Sequence, residues 1–297
     1  MKTLKVKGFA LAILAAVLWG VSGSMGQFLF QERDINVEWL ITVRLLSTGI
    51  CFLLYAAIFE KVNIFSIWKE KKDAIQLLVF SIAGMLAVQY TYFAAIKHSN
   101  AATATVLQYS GPVMIAIYLA WKNRKWPSSI ELLAILLAIT GTFLLVTHGD
   151  IHSLNISPLA LFLGLSAAVT LAIYTLQPLR LLARHRSTLV IGWGMLVGGL
   201  VMSCFKAPWS VSGQWDSYSY LFISLIIVFG TLIPFYAYVN AVKLIGGQKA
   251  SLLASAEPLS ATVLAVYWLN TPFSTLDWIG SFCIIFTVGL LTLSKTK

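Results

Sequence analysis

Ten stretches of about 17 to 24 residues, almost free of charge, tile this chain from one end to the other, at roughly 9–30, 38–59, 74–96, 102–121, 130–147, 158–178, 188–206, 218–241, 250–269 and 276–293. Each is long enough to cross a hydrocarbon layer of about 30 Å. Only 11% of the residues are charged, against about 25% in an ordinary soluble domain. In lipid every backbone polar group must be satisfied within the protein, and these runs are too long and continuous for barrel strands. The expectation is an all-α polytopic membrane protein with ten transmembrane helices. The first stretch follows Lys2, Lys5 and Lys7 as a secretory signal would. Its length and the nine stretches after it make it a retained helix instead.

The formal net charge of +10 suggests nucleic acid until its placement is considered. With the N-terminus inside, seventeen of the 21 Lys and Arg fall in inner segments. The outer connections hold Arg33, Lys97 and Lys206, and Arg44 lies within a stretch. That bias predicts cytoplasmic termini and a bacterial inner membrane, and it needs no polyanionic partner. Cys51, Cys204 and Cys283 lie within apolar stretches and imply no redox role. The four His form no spaced cluster with Cys, so no metal is expected, and no phosphate-binding or dinucleotide fingerprint points to a cofactor or an enzyme.

An internal repeat gives the chain its plan. KHSNAATATVLQYSGP at 97–112 and KLIGGQKASLLASAEP at 243–258 both run from Lys to Pro, 146 residues apart. The same offset pairs Tyr90 with Tyr236, Tyr92 with Tyr238 and Leu107 with Leu253, and Gly141 meets Gly289 after a slip of two. Two units, 1–149 and 150–297, each with five apolar stretches, follow from this. An odd number turns the second unit upside down, the usual frame of an alternating-access carrier.

Polar groups inside the stretches are the candidate site. Glu257 sits about seven residues into the ninth stretch, roughly 10 Å below the interface at 1.5 Å per residue. That is too deep to reach water easily, so it faces protein or a cavity. It is a candidate for exchanging protons or meeting a cationic group, or for closing the backbone gap left by Pro258. Arg44, in the second stretch, either extends outward to the interface or attracts an anion. A direct bridge between Arg44 and Glu257 stretches both side chains, whereas a substrate between them does not. Trp19, Tyr90, Gln108, Tyr109, Tyr174 and Tyr236 complete the candidate substrate-binding set. Positions i and i+2 do not share a helix face, so only one of Tyr90 and Tyr92, and one of Tyr236 and Tyr238, points inward. Ser251, Ser255 and Ser260 flank Glu257, and Pro112 and Pro258 are candidate helix breaks. Trp residues near stretch ends, Trp39 and Trp126 among them, read as interface anchors.

With AAVLWGVSGSMGQFL at 15–29, ITVRLLSTG at 41–49, AATATVLQYSGPVMIAI at 101–117 and ASLLASAEPLSATVLAVYWLN at 250–270, the chain resembles the drug/metabolite transporter superfamily in its ten-helix branch of EamA-type permeases. The resemblance implies an inner-membrane secondary transporter, most commonly an exporter of amino acids or other small metabolites, with proton or counter-substrate coupling. Uptake and multidrug or cation export are the alternatives; a non-transporting scaffold or lipid-binding component is a further one. The family's early Trp-Gly is Trp19–Gly20, its second-helix arginine is Arg44 and its ninth-helix Glu-Pro is Glu257–Pro258. Related sequences often carry Lys further along the first helix, where this chain has Gln27. They also often end the fourth and ninth helices in Gly-Glu or Asn-Glu, where it has Trp121–Lys122 and Asn270–Thr271.

Overall fold

A computed structural model describes residues 2–122, 124, 129–147, 156–245, 253–254 and 256–293. Every regular element among them is helical. Helix α1 (Lys2–Gln31) and α2 (Val37–Ile58) are followed by α3 (Lys71–Val79) and α4 (Ala87–His98), which are joined without interruption by a π-helical turn, Phe80–Leu86. Then come α5 (Ala101–Gln108), α6 (Gly111–Lys122), α7 (Ser129–Thr147), α8 (Pro158–Leu176), α9 (Leu179–Arg184) and α10 (Ser187–Ser203). Helix α11 (Ser217–Ile227) passes through a second π-helical turn, Val228–Leu232, into α12 (Ile233–Ile245). Helices α13 (Ala256–Tyr267) and α14 (Thr275–Leu293) close the chain.

Five of the described helical runs are long and apolar enough to cross a membrane: Val6–Gln31, Val37–Ile58, Lys71–His98, Pro158–Arg184 and Ser217–Ala241. The remaining apolar stretches are shorter or interrupted. The fourth is split into α5 and α6 at Tyr109–Ser110, and Pro112 stands in the first turn of α6, where its missing N–H costs no ladder bond. Pro258 likewise stands in the first turn of α13. Part of the approach to it, with Ser251 and Ser255, lies outside the described residues, as does Trp126.

Polarity is arranged as a bilayer demands. Ser24, Thr42, Arg44, Thr48, Gln89 and Thr105 are buried, while Ile13, Leu54, Ile82, Leu136, Phe282 and Phe286 are exposed on helix faces. Helices gain no hydrophobic energy from one another in lipid, so close van der Waals packing at small residues holds them together. Helices α2 and α10 pack in this way, as do α7 and α14. Starts are set locally: Asn36 accepts from the Trp39 amide at 2.8 Å, Asn100 from the Thr103 amide at 2.8 Å, and Ser157 caps α8 ahead of Pro158. Trp39 is buried, not lipid-facing as an anchor is, and its indole donates to the Pro208 carbonyl at 2.7 Å.

Ion pairs tie the two ends of the molecule. Arg33, in the turn after α1, meets Asp216 at 3.1 Å, just ahead of α11. Arg184, at the end of α9, meets Glu70 at 2.7 Å and Asp73 at 2.8 Å at the start of α3, and His185 meets Asp73 at 2.8 Å. Glu70 and Asp216 are themselves 146 residues apart. The Ser219 backbone N–H, its hydroxyl and Arg33 hold the Asp216 carboxyl below the usual carboxylate range.

Candidate functional site

The break between α5 and α6 points Tyr109 across to the first turn of α13. Its hydroxyl lies 2.5 Å from the Ala254 carbonyl and 3.0 Å from Oε2 of Glu257. Both side chains are buried, Tyr109 at 6% and Glu257 at 8% exposure. One turn earlier on α5, Thr105 pairs its hydroxyl with that of Tyr92 on α4 at 2.8 Å. Thr105 and Tyr109 share a helix face at i and i+4, so a single short helix supplies both contacts.

Helix α1 closes this group from the other side. A Cβ on Gly20 would lie 2.7 Å from the Glu257 carbonyl oxygen and 2.8 Å from the Ala261 amide nitrogen. Those are backbone atoms that cannot turn away, so only glycine lets α1 and α13 meet here. Beside it, Trp19 packs edge-on to Phe235 at 5.4 Å and against Tyr238 at 5.3 Å. Phe235 continues to Tyr174 at 6.3 Å, and Tyr174 stacks on Phe80 at 5.8 Å. An aromatic string therefore runs from α1 through α12 and α8 to the π turn after α3. Gln108 is buried in the last turn of α5 beside Tyr109. Ser260 donates to the Glu257 carbonyl at 2.9 Å, an ordinary bond of a helical serine.

Not every candidate joins the group. Tyr90 reaches Glu38 at 3.5 Å, in the first turn of α2, and Tyr236 is exposed with its hydroxyl 3.4 Å from that of Tyr55. The inward members of the two tyrosine pairs are Tyr92 and Tyr238. Arg44, 4% exposed, does not extend to the interface. Its Nε donates to the Thr231 hydroxyl at 2.5 Å and its Nη2 to the Gly230 carbonyl at 3.1 Å, over the Phe93 ring at 4.7 Å. Among the described residues no ion pair joins Arg44 to Glu257.

Gln27 is a residue whose role the sequence alone did not suggest. Its Oε1 accepts from the Ala101 amide at 2.8 Å and its Nε2 donates to Thr271 at 3.1 Å. It thereby ties α1 to the start of α5 and to the loop after α13, with a donor and an acceptor that a Lys could not both provide. A cleft of about 190 Å³ opens between α1 and the α11 segment, lined by Ser22, Met25, Phe229 and Gly230 among others. The sequence-predicted residues do not line it. Among the described residues, no group of three or more His, Cys, Asp or Glu could hold a metal ion.

Comparison with known proteins adds to this geometry. A family described as the EamA-like transporter family matches residues 6–147 and again 158–293. The chain is 40% identical over 295 residues, 98% of its length and 97% of the other's, to YicL of Salmonella typhimurium, described as an uncharacterized inner membrane transporter. It is 27% identical over 267 residues to YetK, a transporter of Bacillus subtilis, covering 85% of this chain and 79% of that one. One solved crystal structure superposes with a TM-score of 0.65 at 18% identity, covering 99% of this chain and 97% of the other, which is a likeness of fold.

Proposed function

This chain belongs to the EamA-like transporter family, and on that premise we propose that it is an alternating-access exporter of small amphipathic metabolites, amino acids first among them. The coarser statement stands by itself: it is a multi-pass inner-membrane transporter of small molecules, and not an enzyme. The finer proposal has ten transmembrane helices in two inverted units, 1–149 and 150–297, with both termini cytoplasmic. Glu257, Tyr109 and the aromatic string from Trp19 to Tyr174 line the route in this reading. Glu257, Tyr109 and Tyr92 are all buried, and in this reading they face the route in its closed form.

The observation that carries the reading is the contact between Glu257 and Tyr109 inside the apolar layer. Tyr109 has one hydroxyl proton and two acceptors in range. The hydroxyl is in donating range of both the Ala254 carbonyl and Oε2 of Glu257; in this reading it donates to the nearer carbonyl, and a protonated Glu257 donates to the phenol oxygen. A proton held there in the closed form, and exchanged for a substrate amino group when the route opens, is a coupling device that needs no cofactor. Family membership and the buried carboxyl support this account; direction of transport follows the gradients.

Counterflow in proteoliposomes tests it. Vesicles loaded in turn with a panel of amino acids are compared for wild type and E257Q at two pH values. The expected result is saturable exchange of one compound, lost or made pH-insensitive in E257Q. Exchange by E257Q identical to wild type at both pH values refutes the role of Glu257. No exchange by folded wild type removes amino acids as the substrate class.

A further inference from the structure

The two π-helical turns, Phe80–Leu86 and Val228–Leu232, sit in corresponding places of the two halves. Gly84 and Gly230, one in each, are 146 residues apart, the offset that relates Pro112 to Pro258. A π turn takes an extra residue into the ladder and weakens the regular i to i−4 bonding at that point, and such turns gather at functional sites. In an apolar layer the backbone groups it loosens need partners from elsewhere in the protein.

The two turns are held by different means. The first lies against the backbone of α10. A Cβ on Gly198 would come within 3.2 Å of the Ser81 carbonyl oxygen, and Gly194 packs on the Phe80 ring. The second is held by a charge from the other half of the chain. Arg44 donates from Nε to Thr231 and from Nη2 to the Gly230 carbonyl, both within the turn. The Thr231 hydroxyl passes the bond on to the Ile226 carbonyl, five residues back, at 2.9 Å. A buried guanidinium is costly, and here two of its three nitrogens serve a backbone irregularity.

We propose that Arg44 is a positioning residue of the transport cycle: it holds the π turn of the eighth apolar stretch in the register seen here, and the change of access proceeds as that turn lets go of Arg44. The turn is then a joint and Arg44 its catch. The clamp crosses between the halves, so its release is felt as a displacement of one half against the other. Its Nη1 has no hydrogen-bond partner among the described residues, and the competing role is a substrate carboxylate docking on that nitrogen.

The experiment compares R44Q, T231V, T231S and the R44Q/T231V double variant in nanodiscs. Hydrogen exchange is followed over residues 226–235, and spin-label distances are measured between K97C and S212C after replacement of the three native cysteines. T231V is expected to speed exchange and raise the minor distance population by about tenfold, the factor that losing one hydrogen bond to a charged group carries, and R44Q, which loses the bond to the Gly230 carbonyl as well, by at least as much. Because the two substitutions share the Arg44–Thr231 bond, the double variant falls well short of the product of the single effects, and T231S, which keeps the hydroxyl, behaves as wild type. T231V with wild-type exchange and distances overturns the proposal. So does a double variant whose effects multiply, because Arg44 then acts elsewhere than through this turn. If R44Q fails to insert, T231V and T231S, which keep the charge, decide the matter between them.

Discussion

Replacing Tyr109 by Phe removes one oxygen and leaves the ring. In the structure that oxygen serves the Ala254 carbonyl at 2.5 Å and Glu257 at 3.0 Å, in a setting only 6% exposed. No water replaces it without new space, so the carbonyl is left without its donor, a loss of roughly 1–3 kcal/mol. At about 2–4 °C per kcal/mol, the thermal midpoint in detergent falls by about 5 °C. The second readout is counterflow as a function of pH. The phenol is the partner proposed to accept the Glu257 proton, so Y109F shifts or flattens the pH profile even where transport survives. E257Q keeps a donor toward the phenol oxygen, so Y109F lowers the midpoint in that background by a similar amount. A Y109F protein with an unchanged midpoint and an unchanged pH profile refutes both roles at once.

Other expectations are simpler. G20V drives a branched side chain into the Glu257 and Ala261 backbone and separates α1 from α13, costing roughly 1–3 kcal/mol; a folded, fully active G20V protein contradicts the contact. Because Asp216 titrates below the usual range, its contribution to stability is complete above that range and is lost as pH falls through its folded-state value. D216N therefore shows a shallower acid limb in thermal midpoints measured from neutral pH to about 3, and identical limbs in both proteins dismiss the idea. In a cysteine-free background, K97C is expected to react with an impermeant maleimide from outside the cell and K61C only after permeabilisation; the reverse pattern inverts the proposed orientation.

The membrane class was legible because charge is almost absent from long stretches, and the Glu257–Pro258 signal led to a contact the structure contains. The choice between members of each tyrosine pair was not legible. Spacing alone leaves the choice open, and a phase of 3.6 residues per turn does not carry through, because a π turn precedes each pair. One extra residue per turn rotates everything downstream by about 100°, which puts Tyr92 and Tyr238 inward. Thr105 and Thr231 were missed for another reason. A buried threonine that bonds a side chain from a distant segment has the same local sequence as one that bonds its own helix. The destination of Arg44 was hidden likewise, since its partners lie 186 and 187 residues further along the chain.

The crossed ion pairs have a consequence for exchanges between relatives. An arginine from a connection in the first half reaches the acid ahead of α11 in the second, and an arginine from the second half reaches the acid ahead of α3 in the first. Each half thus carries both the hook and the eye of the same fastening, used on opposite ends of the molecule. Each fastening draws one partner from the first part of the chain and one from the second, so exchanging one part alone for that of a distant relative breaks both fastenings together.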